Sequence, residues 1–238
     1  MNKKLVIAIL AAGKGTRMNS EVPKVLHEVN GKSMIQHVLN TAVKLSPFKV
    51  IAIVGFKKEL VIKNLKSFDI DFVVQKTQNG TGHAIEQCRE KIKDIDGDVV
   101  VLSGDVPLIS KKTLDSLIKN HNKNNAEASL ISAVLDNPSG YGRIKRDFNG
   151  NFKSIVEHKD ADKNELLINE INAGIYIFNI KSLFKNLSLI NNNNKQNEYY
   201  IGDVLNFINN EKISIIQTSN SKEILGVNNI EQLHEINK

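Results

Sequence analysis

LVIAILAAGKGTRMNSEVPK, residues 5–24, opens on six apolar residues, Leu5 to Leu10, with no polar break. That is the pattern of a strand buried on both faces, as in a parallel sheet covered by helices. The run stops at Ala11-Ala12-Gly13-Lys14-Gly15-Thr16-Arg17. Small residues and glycines let the backbone turn sharply there and approach a ligand closely. Successive N–H groups in such a turn form a concave anion site. Lys14, Arg17 and Lys24 lie along the same loop, so a buried strand leads into a glycine turn flanked by cations, a combination suited to polyphosphate.

Two well-known phosphate loops fail on residues. A Walker A loop needs G-x-x-x-x-G-K-[ST], a spacing absent here. A dinucleotide fingerprint needs a third small residue, where this chain has Met18, and an acid after the second strand, where Lys49–Val54 ends in Gly55.

The strand-and-loop unit is followed by further alternation. Ser33 can cap a helix carrying Met34, Ile35, Val38, Leu39, Ala42 and Val43 at helical spacing. Lys49–Val54 reads as a strand, Leu60–Leu65 as part of a helix, Asp71–Val74 as a third strand and Asp98–Leu102 as a fourth. Strands alternating with helices predict a mostly parallel α/β sheet with helices on both faces. Gln75 ends the third strand beside Asn79-Gly80-Thr81-Gly82, where Thr81 can cap the next helix. An amide offers one donor side and one acceptor side, so Gln75 can match the edge of uracil. His83 reads as a helix-start residue and Cys88, on that helix, as a packed thiol. Ser103-Gly104-Asp105-Val106-Pro107 ends the fourth strand and sets an acid at the carboxyl edge of the sheet, where open α/β proteins bind ligands.

Ala126–Leu135 reads as another strand. Asn149-Gly150, between 144–148 and 152–156, signals a hairpin. The asparagines at 191–194 read as a flexible loop, Glu198–Val204 as a helix start, Ile213–Gln217 as a last strand and 229–238 as a terminal helix.

Composition narrows the function. The chain has 238 residues, 41% apolar and 24% charged, enough for a substantial core. No apolar stretch approaches the roughly 20 residues of a membrane span, and Met1-Asn2-Lys3-Lys4 leads into a strand rather than a signal peptide. One cysteine, Cys88, excludes an internal disulfide and suits a cytoplasmic setting. The net charge of +6 is dispersed, Trp is absent and no nucleic-acid motif occurs, so a nucleic-acid partner is not expected.

The motifs L-A-A-G-x-G-T-R-M and P-K, at Leu10–Met18 and Pro23-Lys24, resemble those of the sugar-1-phosphate nucleotidyltransferases. Among these the chain is most similar to the uridyltransferase domains of bacterial N-acetylglucosamine-1-phosphate uridyltransferases. The resemblance extends through G-T at Gly80-Thr81, G-D-x-P-L at Gly104–Leu108, Y-G-R-I at Tyr141–Ile144 and V-E-H-K-D-A at Val156–Ala161. It continues with E-I-N-x-G at Glu170–Gly174, E-Y-Y at Glu198–Tyr200 and G-V-N at Gly226–Asn228, and covers essentially the whole chain. Two positions depart: Ser103 stands where some relatives have Tyr, and Gly202 where Thr is usual.

The resemblance implies a Rossmann-like nucleotidyltransferase fold in a single domain over 1–238. A nucleotide-binding half (about 1–110) would be followed by a sugar-binding half (about 111–228) with an antiparallel lid. It implies nucleotide binding by Leu10, Ala11, Ala12, Gly13, Lys24, Gln75, Gly80 and Thr81. Ser103, Gly104, Asp105, Gly142, Glu157, Asn172 and Asn228 would contact the sugar phosphate. Asp105 and Asn228 would hold Mg²⁺, and Arg17 and Lys24 would be the catalytic cations, with Lys14 a possible third. The implied substrates are UTP and N-acetylglucosamine-1-phosphate, giving UDP-N-acetylglucosamine, a precursor for the cell wall, and pyrophosphate. Another sugar-1-phosphate, or a catalytically idle nucleotide-binding protein, is the alternative. No hexapeptide repeat of the acetyltransferase half of the bifunctional enzymes occurs in these residues, so a monomer without acetyl transfer is expected.

Overall fold

The computed structural model describes residues 3–237, so Met1, Asn2 and Lys238, including the end of the expected terminal helix, lie outside it. The apolar run after Lys3 forms β1 (Lys4–Ala11), whose residues 6–9 are fully buried. A short ribbon, β2 (Glu28–Val29) and β3 (Lys32–Ser33), leads to α1 (Met34–Val43), with Ser33 at its N-cap. The Gln36 side chain accepts the Ser33 N–H at 3.2 Å, which satisfies one of the helix's free donors. Then come β4 (Lys49–Val54), α2 (Lys58–Asn64), β5 (Asp71–Val74), α3 (Thr81–Glu86), α4 (Arg89–Ile92) and β6 (Gly97–Ser103). The second half contains α5 (Lys111–Lys123), β7 (Ala128–Val134), β8 (Arg143–Arg146), β9 (Phe152–Val156) and β10 (Glu170–Asn179). It ends with α6 (Ile180–Leu187), β11 (Ile213–Gln217) and α7 (Ile230–Ile236).

One sheet takes the order β11-β7-β10-β6-β1-β4-β5, with the β8–β9 hairpin joined through β8 to β10. β10 runs antiparallel to both β6 and β7, and the other pairings along that order are parallel. Alternate strand residues face opposite layers. Val6, Ala8, Ile51 and Ile53 pack towards α3 and α6, while Ile7, Ile9, Val50 and Ala52 pack towards α1, α2 and α5. The mostly parallel sheet, covered on both faces, is the expected fold.

Three local expectations need correction. Thr81 does not cap α3: Gly80 occupies the N-cap, and the Thr81 hydroxyl accepts the Ile201 N–H at 3.0 Å. Cys88 lies between α3 and α4 rather than within one helix, because the chain breaks after Glu86. It is fully buried, and burial pushes its thiol up to about 12, so it is inert. The expected hairpin does form as β8–β9, its turn held by Asp147 Oδ1, which accepts the N–H groups of both Asn149 and Asn151 at 2.9 Å. The segment after Tyr200 is a 3₁₀ stretch, Ile201–Phe207. In the asparagine-rich loop, Asn194 Oδ1 accepts the N–H groups of Gln196 and Glu198 and its amide donates to the Glu198 carbonyl, so side chains replace the missing backbone ladder.

Candidate active site

The carboxyl ends of β1, β5 and β6 open onto a cleft of about 250 Å³. Leu10, Ala11, Ala12, Gly13, Lys24, Gln75, Gly80 and Thr81 all line it. Gly15 has φ +65°, and a Cβ there would lie 2.5 Å from Lys24 Cβ, so only glycine lets the loop fold back over Lys24. Gln75 is 3% exposed, and its amide nitrogen donates to the Gly80 carbonyl and faces His83 Nδ1, both at 3.0 Å. His83 therefore orients the amide, a structural role consistent with its place at the helix start. The 79–82 turn is strapped from outside: Tyr199 N–H donates to the Asn79 carbonyl at 2.8 Å, and Gly82 N–H to the Tyr199 carbonyl at 2.7 Å.

A second cleft, of about 190 Å³, adjoins the first and shares Leu10, Thr81, Ser103 and Asp105 with it. Gly142, Glu157, Asn172 and Asn228 line this second space. Gly104 lines neither; its N–H donates to the Leu10 carbonyl at 2.9 Å, and a Cβ would lie 3.0 Å from that oxygen. Glycine thus lets the β6 turn close against β1.

At the seam, Lys24 Nζ is ion-paired with Asp105 and donates to Asn228 Oδ1 at 3.1 Å. Arg17 donates to the same amide oxygen at 2.9 Å. Val227 N–H donates to the Asp105 carbonyl at 2.9 Å, clipping the last loop to the end of β6. Lys14 stands apart, its ammonium 5.7 Å from the Phe56 ring centre. Two hard oxygen donors, a carboxylate and an amide, thus converge on one cation, the Lys24 ammonium. That donor set fits Mg²⁺, which binds through one or two protein oxygens and keeps waters and substrate phosphates for the rest. No group of three or more His, Cys, Asp or Glu arranged as a metal cage occurs among the described residues.

The second cleft is acidic. Burial first, then the charges of Asp203, Asp160 and Glu198, push the Glu157 carboxyl up to about 7, against the opposing pull of Arg143. Burial, followed by Asp160, raises Asp203 to about 6. A Cβ at Gly142 would lie 2.9 Å from Glu157 Oε1, so any larger residue there would have to displace that carboxyl.

Reading the sequence residue by residue overlooked Gln78 and Glu198 in the first cleft and Tyr176 and Tyr200 in the second. Gln78 stands three residues after Gln75 in the same turn and donates to its carbonyl at 3.1 Å, a spacing that could have suggested it. Tyr176 lies in an apolar strand, where its hydroxyl was the one available signal.

A nucleotidyl transferase family model matches residues 6–223. The chain is 45% identical over 232 residues to the bifunctional protein GlmU of Prochlorococcus marinus (strain NATL2A), covering 97% of this chain and 52% of that protein. It is 46% identical over 229 residues to the bifunctional protein GlmU of Clostridium novyi (strain NT), covering 95% and 50% respectively. The chain thus spans about half the length of the curated relatives it matches. Among solved structures, a UDP-glucose pyrophosphorylase complexed with UDP-glucose superposes with a TM-score of 0.74 at 21% identity, over 99% of this chain and 97% of the other. At that identity the likeness speaks for the fold alone. A glycine turn on a buried strand, two joined clefts at the carboxyl edge and a family match over residues 6–223 agree: this chain belongs to the nucleotidyl transferase family.

Proposed function

We propose that the chain transfers a uridylyl group from UTP to N-acetylglucosamine-1-phosphate, releasing pyrophosphate. The observation that carries this reading is the convergence of Arg17, Lys24, Asp105 and Asn228 at the seam of the two clefts. A nucleotide in the first cleft and a sugar phosphate in the second would bring their phosphates to that seam. The motif resemblance supplies the identities of the two substrates, and the related fold is known with a UDP-sugar in the UDP-glucose pyrophosphorylase structure.

The nucleophile arrives with the substrate, as a phosphate oxygen of the sugar phosphate. It forms a bond to the α-phosphorus of UTP, the bond to the bridging oxygen breaks, and pyrophosphate leaves with those electrons. The protein's task is alignment and charge. Asp105 and Asn228 would hold Mg²⁺, which when bound neutralises charge where the two anions approach. With Mg²⁺ held by Asp105 and Asn228, the Lys24 ammonium would be available, together with Arg17, to face the charge building on the α-phosphate and the leaving group. Gln75 and the Gly80-Thr81 turn bound the base, and Glu157 and Asn172 offer polar groups to sugar hydroxyls and an acetamido group. A cytoplasmic setting fits a reaction that draws on UTP.

Pyrophosphate release with Mg²⁺, the four nucleoside triphosphates and a panel of sugar-1-phosphates tests the reading. UTP should exceed CTP and ATP by at least about a hundredfold, since two or three unpaired buried groups cost about 1–3 kcal/mol each. N-Acetylglucosamine-1-phosphate should be the preferred acceptor. Release from none of the combinations would overturn the assignment.

A further inference from the structure

Asn172 enters the second cleft with its amide already committed. Its Oδ1 accepts the Gly174 N–H at 3.1 Å, and its Nδ2 donates to the Tyr176 hydroxyl oxygen at 2.6 Å. A backbone N–H only donates, so the oxygen must face Gly174 and the nitrogen the phenol. The register shift of β10 between Asn172 and Tyr176, with Gly174 at φ +70°, brings these groups together.

Tyr176 has little freedom. It is 2% exposed, and its ring stacks on Phe178 with centres 5.5 Å apart. Gly202 borders the hydroxyl: a Cβ there would lie 3.3 Å from the phenol oxygen and 3.2 Å from Ile155 Cδ1, tighter than ordinary contact. This is the position where the resembled enzymes usually carry Thr. Burial, and after it the Glu157 charge, pushes the phenol's pKa up, so the hydroxyl stays neutral around pH 7.

We propose that Tyr176 is a positioning residue for the sugar phosphate, its hydroxyl fixing the Asn172 amide in one orientation. Held this way, Asn172 has one N–H and one oxygen lone pair left for the cleft. A secondary amide on a sugar presents the complementary C=O and N–H, whereas a hydroxyl at the same carbon cannot match both. The contact would therefore select 2-acylamino sugars. The inference rests on the uridylyl-transfer reading and names the device behind its sugar selectivity.

The test measures pyrophosphate release by wild type, Tyr176→Phe, Asn172→Ala and the Asn172→Ala/Tyr176→Phe double variant. Tyr176→Phe should raise the KM for N-acetylglucosamine-1-phosphate about five- to tenfold, the effect of one lost hydrogen bond, and leave the UTP KM within about twofold. It should reduce the preference over glucose-1-phosphate by a similar factor. In the Asn172→Ala background, Tyr176→Phe should add less than about twofold, the mark of two residues acting as one unit. An unchanged sugar-phosphate KM in Tyr176→Phe, or a full additional penalty in the double variant, would overturn the inference while wild-type turnover keeps the reading. Wild type releasing no pyrophosphate with any sugar phosphate would overturn both.

Discussion

Lys24 and Asn228 meet at 3.1 Å although 204 residues of chain separate them. One stands on the short 3₁₀ turn after the first glycine loop, the other on the turn before α7. Asp105, at the end of β6, joins them through its ion pair with Lys24 and through its carbonyl, which holds the Val227 N–H. Three loops are thereby tied at one point by groups that differ in charge but not in location.

Asp105→Asn removes the charge from that point and leaves the volume. The backbone bond from Val227 remains, so the thermal melt should be little changed. Turnover should fall by about a hundredfold or more, the scale found when a fixed electrostatic contact to a transition state is lost. Excess Mg²⁺ should recover little of it. Near-normal turnover at limiting Mg²⁺ would remove Asp105 from the chemistry.

Gly80 is held between conformation and contact. Its φ is +102°, and a Cβ would lie 2.5 Å from the Tyr199 carbonyl oxygen and 2.7 Å from its nitrogen. Gly80→Ala must strain the backbone, at a cost of about 1–3 kcal/mol, and also push the 198–199 strap away. The expected outcome is a lower Tm together with a raised KM for UTP. Gly150, at φ +82° with nothing within 4 Å, supplies the control. Gly150→Ala carries strain alone, so its Tm should fall less and its UTP KM should stay at the wild-type value. Equal losses in the two variants would show that the Tyr199 contact is unimportant.

Glu157, raised to about 7 from 4.5, and Asp203, raised to about 6 from 3.8, bind protons more tightly in the folded chain than in the unfolded one. The native state therefore holds more protons between the unfolded and folded values. Stability should decline as pH rises through that window and level off above about 7. Sugar-phosphate affinity should run the opposite way, because an ionised carboxylate accepts hydrogen bonds from hydroxyls at both oxygens. Thermal melts and sugar-phosphate KM values between pH 5 and pH 8 (about the span of both titrations) check this. Glu157→Gln should make both profiles shallower, leaving the part carried by Asp203, and a melt as steep as that of wild type would take Glu157 out of the titration.

Much of the fold was legible because its signals are local. Leu5–Leu10 announces a doubly buried strand by lacking any polar residue, and Ser33 stands at the N-cap of α1 where a helix start demands an oxygen. The reversal of β10 has no such mark, since Ile175–Phe178 would serve a strand of either direction and tertiary pairing alone chooses. The seam was found through whole motifs, because the meeting of Lys24, Asp105 and Asn228 leaves no pattern within any short window. Asn149-Gly150 signalled the β8–β9 hairpin, but the part of Asp147, whose side chain takes two backbone N–H groups in the turn, left no pattern to read.

The reversal of β10 also determines how the segment carrying the β8–β9 hairpin is attached. Chain leaves β7 at Val134 and enters β10 at Glu170, and these two residues are register partners, so residues 135–169 begin and end at one rung. A segment whose ends are already neighbours can change length at small entropic cost, since its closure is set by the sheet and not by its own folding. The segment is in that sense an exchangeable cassette. A different stretch spliced between Val134 and Glu170 would replace the Gly142 and Glu157 side of the second cleft while the strands that frame the first one stay as they are.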